Sequence, residues 1–145
     1  MTASTPTVTG IVEAALYVGE VAGAAKFYQD LFGFEVELQA EMIAVLRVPG
    51  GQALILFPHK IVEAPAITPP IAIDGIIPSH GGSGRMHIAF SIKAEMLDDW
   101  RKRLAERGVK IEGTVRWKRG GTSLFFRDPN AHLIELITPG LWSFY

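Results

Sequence analysis

The 145-residue chain contains no cysteine at all. Disulfides, thiolate catalysis, zinc fingers and cysteine-held iron–sulfur clusters are thereby excluded. The absence suits a reducing compartment, so a cytoplasmic location is expected. Charge of one sign is also missing: 14 Lys and Arg stand against 15 Asp and Glu, for a net charge of −1. With the basic residues scattered, there is no electrostatic footprint for a nucleic-acid partner. No apolar run approaches the roughly 18 residues that a membrane helix requires, and the stretch from Met1 to Thr9 is polar and small, so neither a membrane partner nor a targeting segment is expected. Apolar residues make up 48% and charged ones 20% of the chain, the balance of a protein with a real core. Its chemistry must come from His, carboxylates, Tyr or a metal.

The order of patterns suggests one domain over residues 1–145, in two halves. Ile11 to Val18 is a short apolar run with Glu13 set into it, and predicts a strand. Ala22 to Phe32 carries Ala24, Ala25, Phe27, Tyr28, Leu31 and Phe32 at helical spacing, with Gly33 at the position of a helix C′ residue. Strands follow at Phe34 to Leu38, Met42 to Val48 and Gln52 to Phe57, with Pro49-Gly50-Gly51 as the last turn. Residues 59–85 change texture, being rich in Pro and Gly with neither period, and read as a long loop. Beyond it, Met86 to Ile92 predicts a strand and Ala94 to Glu106 an amphipathic helix capped by Gly108. Strands at Val109 to Thr114, Thr122 to Arg127 and His132 to Thr138 follow, with Asp128-Pro129-Asn130 as a turn. The tail, residues 139–145, holds Trp142, Phe144 and Tyr145; its aromatic content implies packing on the neighbouring half or on a partner subunit.

The halves repeat. Glu13 to His87 is an offset of 74 residues and Gly33 to Gly108 one of 75, while Arg47 to Arg127, Pro49 to Pro129 and Ile55 to Glu135 are each 80 apart. RVPGGQALILF and RDPNAHLIELI superpose without a gap. Duplication of strand, helix and three strands predicts an α+β fold of two tandem βαβββ modules, about 10–58 and 86–138, whose curved mixed sheets face a shared cavity.

The repeat singles out polar groups embedded in apolar strands. The two first strands carry Glu13 and His87 at matching positions; the two last strands carry Ile55 and Glu135. A charge on a buried strand face costs several kcal/mol unless it is paired or coordinated. Pseudo-symmetry places these residues near one axis, and imidazole with carboxylates suits Mn, Fe, Ni, Zn, Co or Mg. Each residue also has a plain structural reading. His87 serves equally as a core histidine, Glu135 as a partner of Arg127 or Arg119, and Glu13 as an exposed edge residue or a partner of Tyr17.

Three segments, EAALYVGEVAGAAKFYQDLFGF, GRMHIAF and SLFFRDPNAHLIELITP, resemble the vicinal oxygen chelate superfamily of glyoxalases, extradiol dioxygenases, and fosfomycin and bleomycin resistance proteins. The resemblance implies paired βαβββ modules around a cavity that holds a divalent metal. Carried onto this sequence, the ligand positions are Glu13, Ile55, His87 and Glu135. Isoleucine cannot ligate, which leaves three protein ligands. A Glu–His–Glu set is hard and anionic and favours Mn²⁺ or Mg²⁺. The resemblance further implies a homodimer, in which Glu13 meets His87 and Glu135 of the other subunit. The leading expectation is a metal-dependent lyase, isomerase or dioxygenase-type enzyme for a small molecule with adjacent oxygens, with Glu13 or Glu135 as general base. The alternative is a metal-free drug- or aromatic-ligand-binding protein of the bleomycin-resistance kind.

Strand alternation gives the walls of the site. Tyr17 shares the face of Glu13, and Ser91 that of His87. Trp117, Lys118 and Arg119 precede the Gly120-Gly121 turn, either at the cavity mouth or as a solvated turn. Tyr17 and Phe125 line the pocket or simply pack in the core. His59, His80 and His132 are expected on surface or loop, with His80 a further candidate to face the site.

Overall fold

The structure, a computed structural model, describes residues 4–59 and 71–145. Strand β1 (Glu13–Val18) leads into helix α1 (Val21–Phe32). The Glu20 side chain caps this helix by accepting from the N–H groups of Ala22 at 2.8 Å and Gly23 at 2.7 Å. These are two of the donors a helix start leaves unpaired. Val21, Ala24, Ala25, Tyr28 and Leu31 form the buried stripe, and Gly33 in the left-handed region (φ 72°) ends the helix. Strands β2 (Glu35–Ala40), β3 (Ile43–Val48) and β4 (Gln52–Pro58) complete a sheet of order β1-β4-β3-β2. β1 and β4 run parallel; the other pairs are antiparallel.

The second half repeats this plan: β5 (His87–Ser91), α2 (Leu97–Glu106), β6 (Gly113–Arg116), β7 (Thr122–Arg127) and β8 (Leu133–Ile137), in a sheet of order β5-β8-β7-β6. The α+β expectation of tandem βαβββ modules holds. The register shows how faithful the repeat is. Ala15 pairs with Ile55 across β1 and β4, and Ala89 pairs with Glu135 across β5 and β8, reproducing the offsets of 74 and 80 residues in the sequence.

Some boundaries move. The second helix opens with a 3-10 turn, Ala94–Met96, because Lys93 supplies no side-chain cap and Met96 N–H bonds the Lys93 carbonyl instead. β6 begins at Gly113 rather than Val109. The N–H of Val109 is taken by the Leu104 carbonyl behind the helix, so the apolar alternation of Val109 and Ile111 records packing on the core and not ladder pairing. Of the long loop, residues 60–70 lie outside the described residues.

One cluster of buried side chains runs through both modules, from Leu16, Tyr28 and Leu46 to Leu104, Phe126 and Leu136. Phe32 joins the halves, its ring centroid 5.0 Å from those of both Phe34 and Phe90. Arg103 of α2 donates to the carbonyls of Leu31 at 2.6 Å and Asp30 at 2.9 Å. It thereby satisfies acceptors that the end of α1 leaves open and places a cation at the negative pole of that helix. Tyr28 donates to Asp128 Oδ2 at 2.6 Å. Burial, then the neighbouring Asp128 charge and its hydrogen bond, hold the Tyr28 phenol well above its usual range.

His132, expected on the surface, is fully buried. Its Nδ1 accepts from Met86 N–H at 2.9 Å, and its Nε2–H donates to the Tyr17 carbonyl at 2.7 Å. A buried backbone donor and acceptor must find partners, and this imidazole serves one on each module. Because the core occupies one face of each sheet, Glu13, Ala15 and Tyr17 are left on the opposite face of the first, and His87, Ala89 and Ser91 on that of the second. Among the described residues no helix is long and apolar enough to cross a membrane.

Candidate metal centre

On the open face of the second sheet, β5 and β8 bring two expected residues together. His87 Nε2 lies 3.2 Å from Glu135 Oε2, the imidazole half exposed and the carboxylate side chain only 7% exposed. His87 Nδ1 is 2.9 Å from the Leu133 carbonyl. A carbonyl only accepts, so Nδ1 carries the proton and Nε2 presents a lone pair in the neutral ring. That lone pair meets a carboxylate oxygen, and two acceptors at this separation need a cation between them, either a proton or a metal ion. Glu135 is held from behind. Ser123 donates its hydroxyl proton to Glu135 Oε1, and Trp117 Nε1–H donates to Ser123 Oγ at 2.8 Å. Outer hydrogen bonds of this kind orient metal ligands and fix their tautomers. Phe125, opposite Glu135 in the β7–β8 register, places its ring 6.2 Å from that of His87 as an apolar wall.

Ser123 is the member that the sequence reading missed. The signal was present: alternation along β7 puts Ser123 on the face of Phe125, a small hydroxyl next to the apolar run Leu124-Phe125-Phe126. Trp117 proves to be a support for Glu135 through Ser123, whereas Lys118 and Arg119 stand exposed on the turn beyond it. Arg127 pairs with Glu112 at 2.9 Å, so the structural alternative for Glu135 as an Arg127 partner is replaced by the His87–Ser123 contacts.

Glu13 begins β1 on the other sheet and is exposed. Among the described residues no group of three His, Cys, Asp or Glu side chains gathers in a metal-holding arrangement, so Glu13 does not join His87 and Glu135 within one chain. Ile55 occupies the repeat equivalent of Glu135 and is nearly buried. Tyr17 does not bond Glu13; its hydroxyl is 2.6 Å from His80 Nδ1, and the His80 ring lies 4.6 Å from that of Phe57. Gly82 permits this, since a Cβ there would come within 2.8 Å of the Tyr17 ring. His59 is exposed and donates from Nε2 to the Tyr17 carbonyl at 3.1 Å. Tyr17, Phe57, His59 and His80 thus form a cluster on the first sheet, while Ser91 and Phe125 stay with the pair on the second.

The donor set fits a divalent cation: an imidazole whose Nε2 lone pair faces Glu135, a nearly buried carboxylate with its second oxygen pinned, and, among the described residues, no Lys or Arg ion-paired with that carboxylate. Such a pair supplies two ligands per chain and leaves positions open.

Comparison with known proteins agrees with this architecture. A model of the Glyoxalase/Bleomycin resistance protein/Dioxygenase superfamily matches residues 10–136. The metallothiol transferase FosB of Staphylococcus haemolyticus is 29% identical over 135 residues, covering 92% of this chain and 86% of that protein. The crystal structure of a lactoylglutathione lyase from Agrobacterium tumefaciens superposes with a TM-score of 0.82 at 28% identity, over 95% of this chain and 99% of the other. The fosfomycin resistance protein FosX from Listeria monocytogenes, complexed with Mn(II) and sulfate, shares the fold with a TM-score of 0.64 at 21% identity, over 90% of each chain. With two βαβββ modules in register and a family match spanning both, the chain belongs to the glyoxalase/bleomycin resistance protein/dioxygenase superfamily.

Proposed function

We propose that this chain is a divalent-metal-dependent enzyme acting on a small molecule that presents adjacent oxygens, and that it works as a homodimer. The observation that carries the reading is the His87 Nε2–Glu135 Oε2 approach of 3.2 Å, with the imidazole proton fixed on the far nitrogen by Leu133. The name metallothiol transferase borne by the FosB relative and the Mn(II) in the FosX structure support it. His87 and Glu135 would hold the ion from one subunit, and Glu13 of the partner subunit would supply the third ligand. A bound ion of this kind supplies Lewis acidity toward substrate oxygens.

The chain's own residues have separable roles. Leu133 and Ser123 fix the two ligands, Trp117 fixes Ser123, and Phe125 keeps water from one side of the pair. Glu135, engaged at both oxygens, is suited to staying in place. Glu13, exposed at the start of β1, is the better placed of the two carboxylates to accept a proton from substrate. A metal-free binding protein is the second reading, favoured by Ile55 at the fourth ligand position; it predicts thermal stabilisation by bulky aromatic compounds and none by Mn²⁺, Fe²⁺, Ni²⁺ or Zn²⁺.

Complementation tests the assignment across subunits. Glu13→Gln and His87→Ala homodimers should each retain little metal. Heterodimers formed by mixed refolding should regain one intact site, made by Glu13 of one chain and His87 and Glu135 of the other. No recovery in the mixture, with each parent variant folded, would contradict a shared site.

A further inference from the structure

We propose that the cleft farther along β5 from His87, walled by the aromatic tail, binds the uncharged apolar portion of a small-molecule ligand carrying one or two rings. The cleft measures about 670 Å³ and is lined by Phe34, Ala89, Ser91, Trp100, Trp142 and Phe144, among others. That size lies within the range of ligand sites. Among the described residues no charged side chain lines it; its polar side chains are Gln52, Ser91, Tyr145 and the indoles of Trp100 and Trp142, so it suits a neutral group with at most a few hydrogen-bonding atoms.

The tail is built into the wall. Tyr145 donates its hydroxyl to the Ile137 carbonyl at 2.9 Å, and the N–H groups of Gly140 and Leu141 both bond the Tyr145 carbonyl at 3.0 Å. Gly121 N–H bonds the Gly140 carbonyl at 3.0 Å, in an approach so close that a Cβ on Gly140 would come within 2.5 Å of Gly121 N. A segment anchored at both ends nevertheless keeps Trp142 58% and Phe144 85% exposed. Aromatic side chains held out beside a concavity are surfaces for a ligand to cover.

Position ties the cleft to the chemistry. Ala89 and Ser91 follow His87 on the same strand face, and Ile137 follows Glu135. Strand rise places Ala89 and Ser91 roughly 7 and 13 Å from His87. Neither His87 nor Glu135 is among the residues lining the cleft, so a ligand whose oxygens meet the pair needs a body of about that length to enter it. In this respect the inference rests on the metal reading: it narrows the substrate class to molecules with an oxygen-bearing head and an apolar, ring-sized body.

The test uses 1-naphthol, a neutral two-ring phenol without adjacent oxygens, on the full chain with no metal added. Saturable binding with amide shifts at Ala89 and Ser91 is expected. Trp142→Ala and Phe144→Ala, both at exposed positions, should weaken it at least about fivefold, with Met42→Ala, exposed on the other module, unchanged. His87→Ala, which removes a metal ligand, should retain the binding. Absent or non-saturable binding, or equal binding by the tail variants, would overturn the proposal. So would a cleft that ignores 1-naphthol while Trp142→Ala lowers the particle mass by light scattering, since it would then seat a second copy of the chain. Metal retained without naphthol binding sinks the cleft alone; naphthol bound by a protein that retains no metal sinks the metal reading alone.

Discussion

Replacing Ser123 by Ala removes one hydroxyl and breaks two hydrogen bonds, so it tests whether Glu135 is a ligand or a merely structural carboxylate. Ser123 is fully buried, donating to Glu135 Oε1 and accepting from Trp117 Nε1–H. Trp117 is half-buried, and water can replace the lost acceptor there at small cost. The Glu135 side chain is 7% exposed and loses a charge-assisted bond, worth about 1.5–3 kcal/mol. The apo protein should lose about that much in urea unfolding. If Glu135 ligates, its carboxylate also loses the contact that orients it, and Mn²⁺ or Zn²⁺ affinity should fall about 10–100-fold, measurable by competition with a fluorescent chelator. Ser123→Thr, which keeps the hydroxyl, should recover most of the affinity. A destabilised Ser123→Ala protein whose metal affinity stays within about twofold of the parent would refute the ligand role of Glu135 while leaving the fold account intact.

Two further predictions concern the bonds that join the modules. His132→Ala leaves the Met86 N–H and the Tyr17 carbonyl unpaired and opens a cavity. The expected loss is about 3–5 kcal/mol in urea unfolding, and a loss below about 1 kcal/mol would contradict the bridging role. Tyr28, with its phenol raised by burial and Asp128, stays protonated in the folded chain after the unfolded chain begins to ionise. Stability present below about pH 10 should therefore fall as pH rises beyond it, by up to about 1.4 kcal/mol per pH unit. Tyr28→Phe should be about 1–3 kcal/mol less stable at neutral pH but flatter between pH 9 and 11; parallel curves for parent and variant would refute the assignment.

The sequence was most informative where local pattern and duplication agree. Offsets between RVPGGQALILF and RDPNAHLIELI predicted that Ile55 and Glu135 occupy the same place in two sheets, and Ala15↔Ile55 and Ala89↔Glu135 are indeed register partners. A strand pair fixes which residues are adjacent, so the His87–Glu135 contact was legible from the spacing. Long-range polar bonding was not. His132 meets residues 46 and 115 positions away, and no local signal distinguishes it from a surface histidine. Nor does a period-2 pattern separate ladder from packing, which is why Val109 and Ile111 read as strand. Glu13 marks the other boundary, since a single chain's pattern places it on a sheet face without saying what that face meets.

The central claim is that His87 and Glu135 hold a divalent metal ion. Elemental analysis tests it most directly, on untagged parent and Glu135→Gln protein, each reconstituted with Mn²⁺, Fe²⁺, Ni²⁺, Zn²⁺, Co²⁺ or Mg²⁺ and desalted. The account predicts near-stoichiometric retention of at least one of these ions by the parent and its loss from a folded Glu135→Gln variant. Retention of none by the parent, or equal retention by both proteins, would contradict it.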